Sequence, residues 1–442
     1  MKNIFLSTFL IFTLLGCDKK TDNSNQNIIT SDVNNFWNAY DKIISTQDSI
    51  LQYKYLDSLY LQKGTIGLKG IIQARNYTHK DYINAINNYP KFWSSIRQNT
   101  LKTDEYVDVL NSGIEKIKVI YPELKPAKIY FTIGALRTNG TTIDSLVLIG
   151  SELAMSDKNT IASEFEGNLR TGRRKYFDSN PIDNLILLNI HEYVHTQQNS
   201  AVNNLLSYTL HEGIAEFVSV IAMNISSSAP AINYGKQNQE VKRKFEKEMF
   251  YGNNRHHWLW SDFQNEFKTR DLGYYIGYAI AEINYNDSED KKAAIKEMIE
   301  LDYFNETQIE DFVNRTNFFS KPLENLYEDF DKSRPTIINI KQFKNNSTSV
   351  NPNTKELTIR FSEPLSGYNT GLDYGELGKD YFPKTIDRFW SSDNKSWTMK
   401  VVLEPNKHYQ FLISNNFRTE NGIPLKQYII EFKTSKGQPS SQ

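Results

Sequence analysis

Between Pro181 and Ser200 the chain sets two histidines and a glutamate inside an apolar stretch, reading His191-Glu192-Tyr193-Val194-His195. Leu185, Ile186, Leu187, Leu188 and Ile190 predict a helix that is apolar nearly all round, and such a helix is buried. Asn180 is placed to cap it, and Pro181 suits the first helical position, where no N–H is needed. Buried polar groups are costly unless they are paired or bound to a metal. His191 and His195 are four residues apart and so share one face. Two imidazoles so placed can hold one Zn2+ at about 2.0–2.1 Å each. Glu192 is rotated off that axis, where it can take a proton from water on the metal.

A site of this kind needs a third protein ligand and one open position. A second apolar helix is predicted from Leu205 to Ile225, and it carries His211-Glu212-Gly213-Ile214-Ala215-Glu216. Glu212 follows His195 by 17 residues, room for a short turn and a return helix. The metal set is therefore His191, His195 and Glu212. Glu216, one turn after Glu212, can orient a ligating histidine.

These strings resemble the gluzincin clan of metallopeptidases, in which two His and a Glu bind zinc. In the clan's aminopeptidases the third ligand lies in an Asn-Glu-Gly-Phe-Ala segment; here Glu212-Gly213-Ile214-Ala215 matches, with His211 in place of the Asn. A family of zinc-dependent proteases still classed as a domain of unknown function is a closer match. Its pattern includes a Gly-Tyr-x-x-Gly-Tyr block, present here from Gly273 to Tyr278. The resemblance covers about Asn184 to Glu282, and more loosely the chain from Phe36. It implies a mainly helical, zincin-like α+β domain with a small sheet, one Zn2+, and Glu192 as the catalytic base. It also favours Tyr278 as a donor to the developing oxyanion, with Tyr274 as the alternative. The clan's Gly-x-Met-x-Asn strand is absent, with Gly134-Ala135-Leu136 as a remnant, so aminopeptidase specificity is not implied.

The N-terminus reads as a targeting segment. Lys2 precedes the apolar run Ile4 to Leu15, which is too short to span a bilayer. Leu14-Leu15-Gly16-Cys17 resembles the lipobox of bacterial lipoproteins, which implies cleavage before Cys17 and acylation of that residue. Residues 1–17 are then a signal peptide, and a flexible polar tether is expected over 18–31. Cys17 is the only cysteine, so no intrachain disulfide is available. The expected location is the bacterial cell envelope, lipid-anchored to a membrane.

The 442-residue chain is long enough for two cores. With 51 basic and 52 acidic residues, its balance gives no argument for nucleic acid as a partner. A peptide or protein substrate, the bilayer and a monomeric state are expected. The metallopeptidase domain is assigned to 32–332. It opens with a helix from Asp32 to about Leu61, and another runs from Lys102 to Ile120. Phe92, Trp93 and a tyrosine stripe belong to its core. Ile129–Ile133 and Leu146–Ile149 read as strands around an Asn139-Gly140 turn. By resemblance, Ile143 to Ser151 is the candidate edge for pairing with substrate backbone, a plain hairpin being the alternative.

Lys158 to Ser179 is expected to be a loop over the site. Its cluster of Arg170, Arg173, Arg174 and Lys175 reads as a solvated charge run more readily than as a carboxylate clamp. A charged surface helix is expected from Lys236 to Phe250. His256-His257 cannot easily chelate one ion, because adjacent helical residues face different ways. After Pro335 come short β runs separated by Asn, Gly, Pro and Ser. Phe361-Ser362-Glu363-Pro364 and Leu403-Glu404-Pro405-Asn406 resemble a bacterial Ig-like module. A β-sandwich is thus expected over 333–436, with a disordered tail at 437–442. Besides a peptidase, two readings stay open: a non-catalytic binding lipoprotein on the same scaffold, and a zinc hydrolase acting on other bonds.

Overall fold

The computed structural model describes residues 26–227, 229–251, 254–260 and 265–436. The signal segment with Cys17, most of the tether and the tail 437–442 lie outside those residues. The architecture is mixed α and β, with helices and three small sheets among the described residues. The chain divides into two compact units: Met1–Asn111 with Pro126–Ser156, and Ser112–Lys125 with Asp157–Gln442.

The first unit begins with β1 (Ile28–Ile29), followed by α1 (Ser31–Ile44) and α2 (Ser49–Leu56), which runs on as a π-turn over Asp57–Leu61. Then come α3 (Ile66–Arg75), α4 (His79–Asn88) and α5 (Pro90–Thr100). Thr65 caps α3, and Thr78 and Asp81 form a reciprocal capping box on α4. The single helix expected over Asp32–Leu61 is interrupted, because Asp48 caps a new start at α2. Phe36, Trp37, Tyr60, Phe92 and Trp93 are buried, their rings packing mostly edge-on or tilted, which places the aromatic stripe in a core. Part of the expected tether is a strand. Ile28 is buried, and β1 pairs in parallel with Ile129 and Tyr130.

After α6 (Val107–Ile120), which is divided between the units, the sheet is completed by β2 (Lys128–Thr132), β3 (Gly140–Ile143) and β4 (Leu146–Gly150). A short α7 (Ser151–Ala154) follows. The order is β1-β2-β4-β3. The hairpin is β3–β4, while β2 and β4 run parallel. The tight turn is therefore at Asp144, in the left-handed region, and not at Asn139-Gly140. This corrects the expected substrate edge too. β4 is hydrogen-bonded on both sides, so within this hairpin only β3 is an edge strand, β1 being the other edge of the sheet. Gly134-Ala135-Leu136 is pinned by the buried Glu152, whose carboxylate accepts the N–H groups of Gly134 and Leu136 at 2.9 and 3.1 Å.

The second unit contains α8 (Gly167–Asp178), α9 (Leu185–His195), α10 (Leu205–Met223), α11 (Pro230–Gln237), α12 (Gln239–Glu248) and α13 (Arg255–Trp258). These are followed by α14 (Leu272–Asp287), α15 (Lys291–Glu300), α16 (Glu306–Arg315) and α17 (Leu323–Ser333). The stretch expected as a loop over the site contains α8. Arg174 on that helix is committed to the carbonyls of Thr160 and Lys158 and to Asp178. The charged helix expected from Lys236 is two helices, because Asn238 caps a fresh start at α12. Asn180 does not cap α9. It sits in the left-handed region, its side chain bonds Asp183, and a 3-10 turn over Pro181–Asn184 leads in.

The last part of this unit is all β. Strands β5 (Ile337–Ile340), β6 (Glu356–Phe361), β8 (Lys384–Trp390) and β9 (Ser396–Val402) form one antiparallel sheet in the order β5-β6-β9-β8. Strands β7 (Leu372–Tyr374), β10 (His408–Ile413) and β11 (Tyr428–Lys433) form another in the order β11-β10-β7. Both contribute to one core that includes Leu357, Ile359, Trp397, Phe411, Phe417 and Phe432. Arg334 and Asp331 tie α17 to this part through Leu425 and Lys426 at 2.8 and 2.7 Å.

The closest helix contact in the second unit is between α10 and α14. A methyl group on Gly213 would lie 2.2 Å from the Tyr278 backbone nitrogen. One on Gly277 would lie 1.8 Å from the Thr209 carbonyl oxygen. Both obstacles are backbone and cannot rotate away, so the crossing requires glycine on each helix. Gly213→Ala and Gly277→Ala should each destabilise the protein by about 3 kcal/mol or more in chemical denaturation. Gly167→Ala, where nothing lies within 4 Å and only the positive φ is strained, should cost about 1 kcal/mol.

Candidate metal centre

Helices α9 and α10 bring the site together. His191 Nε2 and His195 Nε2 are 3.0 Å apart. Glu212 Oε2 lies 3.5 Å from the first and 3.4 Å from the second. This is a nearly equilateral triangle. Two tetrahedral ligands about 2.0–2.1 Å from zinc stand about 3.3 Å apart, so one point can lie at bonding distance from all three atoms. Among the described residues, these three form the group of His, Cys, Asp and Glu that could hold a metal ion.

Both imidazoles are held in the orientation this needs. His191 Nδ1 donates to Glu216 Oε2 at 3.1 Å, which leaves Nε2 turned to Glu212. His195 Nδ1 donates to Gln198 Oε1 at 2.7 Å, with the same consequence. Each partner is itself fixed. Ser227 Oγ donates to Glu216. Gln198 Nε2 donates to the His211 carbonyl at 3.1 Å and to Tyr303 Oη at 2.7 Å, and Tyr303 donates to the Met298 carbonyl at 2.8 Å. Glu216 has the place expected of it. Gln198 and Tyr303 are additions: Gln198 follows His195 by three residues, a spacing that marks it as a neighbour on the same face. Tyr303 is remote in sequence and carried no signal.

Charge is balanced inside this buried group. Burial pushes the Glu212 carboxyl up, but His195, His191 and His211 outweigh it and hold the group well below the usual carboxylate range. Glu216 is likewise lowered by His191 and Ser227 against the effect of burial. Burial acts to lower His191, yet Glu212 and Glu216 push it up to about 10. His211 stacks on His195 at 4.4 Å between centroids, and burial keeps it below its ordinary value.

Glu192 is half-buried on α9, about 100° round the helix from His191 and about 60° from His195. On α14 it is Tyr274, not Tyr278, that meets the ligands. The Tyr274 ring stacks on His191 at 6.0 Å, and its hydroxyl is turned to Glu212. Burial and the charges of Glu212 and Asp271 hold that hydroxyl well above its ordinary value. Tyr278 packs against Phe217 at 5.3 Å, beneath the Lys236 ammonium. The difference comes from the tight α10–α14 crossing: the Tyr278 backbone is pressed on Gly213, and its ring continues past the ligand set. His256 and His257 meet edge-on, with ring centroids 4.3 Å apart.

No known family profile matches the chain. No curated protein matches it either. Among solved structures, the N-terminal part of the bacterial S-layer protein SbsC aligns at 12% identity with a TM-score of 0.18, over 92% of this chain and 71% of that one. Domains 1–6 of the surface layer protein SbsC align at the same identity and TM-score, over 93% and 46%. Likeness of that degree carries no argument about fold or role.

The partners of the two imidazoles should govern metal affinity. Glu216→Ala and Gln198→Ala should each weaken binding about 10- to 100-fold in chelator competition. The raised value of His191 gives a pH dependence with a defined sign. In the metal-free protein its proton adds stability in full below pH 6.5, and that stability is lost as pH rises through about 10. Metal must displace the same proton, so apparent affinity should rise about tenfold per pH unit until about pH 10. Calorimetry in buffers of different ionisation enthalpy at pH 8 should register one proton released.

Proposed function

We propose that this protein is a zinc-dependent metallopeptidase of gluzincin type. In this reading the helical part is zincin-like, the C-terminal β part is an Ig-like sandwich, and Cys17 anchors the chain by lipid in a bacterial cell envelope. The observation that carries the proposal is the triangle of His191, His195 and Glu212, with each imidazole fixed through Nδ1. Two nitrogens and one carboxylate oxygen at this spacing suit the donor preference of Zn2+. The open sites of catalytic zinc are built from three such protein ligands.

When bound, the ion supplies Lewis acidity and lowers the pKa of a water molecule from about 15.7 toward 7. The chain's own groups divide the rest of the work. His191, His195 and Glu212 hold the ion in place. Glu192 takes the proton from the attacking water and later delivers it to the leaving amine. Tyr274 replaces Tyr278 as the proposed donor to the substrate oxyanion, because its hydroxyl is on the ligand side of α14. That hydroxyl keeps its proton throughout the physiological range, as a hydrogen-bond donor must. The substrate is a peptide or protein.

The deciding experiment is Glu192→Gln in the full-length, zinc-loaded protein. Metal content should be unchanged and peptide hydrolysis, read with a broad library by mass spectrometry, should vanish. Undiminished cleavage would remove Glu192 as the base. Tyr274→Phe should lower kcat about 10²- to 10³-fold with KM little changed, whereas Tyr278→Phe should leave kcat near the wild-type value.

A further inference from the structure

Beside the metal centre lies a cationic group that the mechanism does not use. Tyr208 is one turn before Glu212 on α10 and shares its face. Its ring meets Trp260 edge-on, with centroids 5.5 Å apart at 89°. Arg255, the first residue of α13, sets its guanidinium over both rings, 5.0 Å from the Tyr208 centroid and 5.8 Å from that of Trp260. Trp260 is 47% exposed and sits at a positive φ of 54°. For a non-glycine residue that backbone costs about 1–2 kcal/mol, so the surroundings must hold it. They do so at two points. The Trp260 backbone N–H donates to Asp271 Oδ1 at 2.7 Å, and its indole N–H donates to Tyr274 Oη at 3.3 Å. The arginine is thereby connected, through Trp260 and Tyr274, to Glu212.

The chemistry of Arg255 is incomplete as it stands. Its guanidinium sits over two aromatic rings, but the guanidinium makes no hydrogen bond or ion pair among the described residues. A guanidinium seated on aromatic rings keeps N–H groups free of protein acceptors, and that fork matches a carboxylate in two parallel bonds. Contact with two rings removes much of the side-chain freedom that such a bond would otherwise cost. Tyr208 and Glu212 are about 6 Å apart along α10. An extended peptide advances about 3.3–3.6 Å per residue. A carboxylate held by Arg255 would thus be about two to four residues from the bond positioned at the metal centre.

We propose that Arg255, clasped by Tyr208 and Trp260, is a carboxylate-binding subsite that selects peptides carrying a negative charge a few residues from the bond to be cut. The cutting of a bond rests on the peptidase reading; the binding of a carboxylate does not. The carboxylate comes from an Asp or Glu side chain or from a free C-terminus, and the two are separable by experiment.

The test uses the full-length, zinc-loaded protein with Glu192→Gln, so that peptides bind without turnover. The probes are fluorescein-labelled twelve-residue peptides of Ala, Leu, Gly and Phe with one Glu moved along the sequence. Each is paired with its Gln isostere, and each is made with a free and an amidated C-terminus. Fluorescence anisotropy should show binding about tenfold tighter or more for one or two adjacent Glu positions, or for the free terminus in every peptide. The first pattern identifies a side chain as the source, the second the chain end. The preference should shrink with added salt. It should vanish in Arg255→Gln, and Arg255→Lys, which keeps the charge but not the fork, should retain part of it. Metal content and thermal midpoint of both variants report whether either has simply failed to fold.

Equal binding of acid and isostere, no binding by any probe, or a preference that survives Arg255→Gln would overturn the proposal. Hydrolysis by the wild-type protein without any charge preference would remove the subsite and leave the peptidase. An Arg255-dependent preference in a protein that cuts nothing would do the reverse.

Discussion

The second unit is organised by the need to compensate polar groups buried between apolar helices. His191, Glu212 and Glu216 are each less than a tenth exposed, on helices whose other faces are leucine, isoleucine and valine. In such surroundings an unpaired carboxylate is far more costly than any single apolar contact can offset. Each polar atom is accordingly answered by another, and the answers extend outward: Glu216 to Ser227, Gln198 to Tyr303, Tyr303 to the Met298 carbonyl. The network reaches from α9 and α10 to the turn after α15, and that reach gives an otherwise ordinary pair of helices one fixed geometry.

The glycines at the α10–α14 crossing are part of the same requirement. Helix α14 must approach α10 closely enough for a tyrosine on it to touch the ligand set, and a Cβ at Gly213 or Gly277 would hold the helices apart. The block from Gly273 to Tyr278 is therefore a packing device as well as a source of hydroxyls. Its tyrosines separate into two roles because the helices are so close. One ring lies against His191 while the other is carried past to Phe217.

The parts of the structure legible in the sequence are those where one residue type meets one local requirement. The imidazole spacing, the return helix with Glu212, the position of Glu216 beside His191 and five of the short strands after Pro335 all follow from periodicity, and each lies where expected. Three kinds of feature were not legible. Helix boundaries near α2 and α12 depend on single caps, Asp48 and Asn238, inside runs that otherwise read as continuous. Strand partners depend on distant pairing: β4 joins β2 in parallel, which no hairpin pattern announces, and β1 is recruited from a polar tether by one buried isoleucine. The choice between Tyr274 and Tyr278 depends on how closely two helices cross, a distance that four-residue spacing does not contain.

The charge pattern of the site also decides what becomes of it without metal. A centre made of two neutral imidazoles and a carboxylate would leave Glu212 and Glu216 facing one another across a buried space. Here His191 lies between them, and their combined field raises it enough to keep a proton at neutral pH. That proton supplies on one ligand the positive charge that a cation would supply to all three. The two carboxylates, the imidazoles and the groups orienting them can then keep their places whether or not an ion is present. A site so balanced would be preformed for the proposed ion, which would enter by displacing that proton. The same balance makes the metal-free state least comfortable at high pH, where the proton leaves and nothing replaces it.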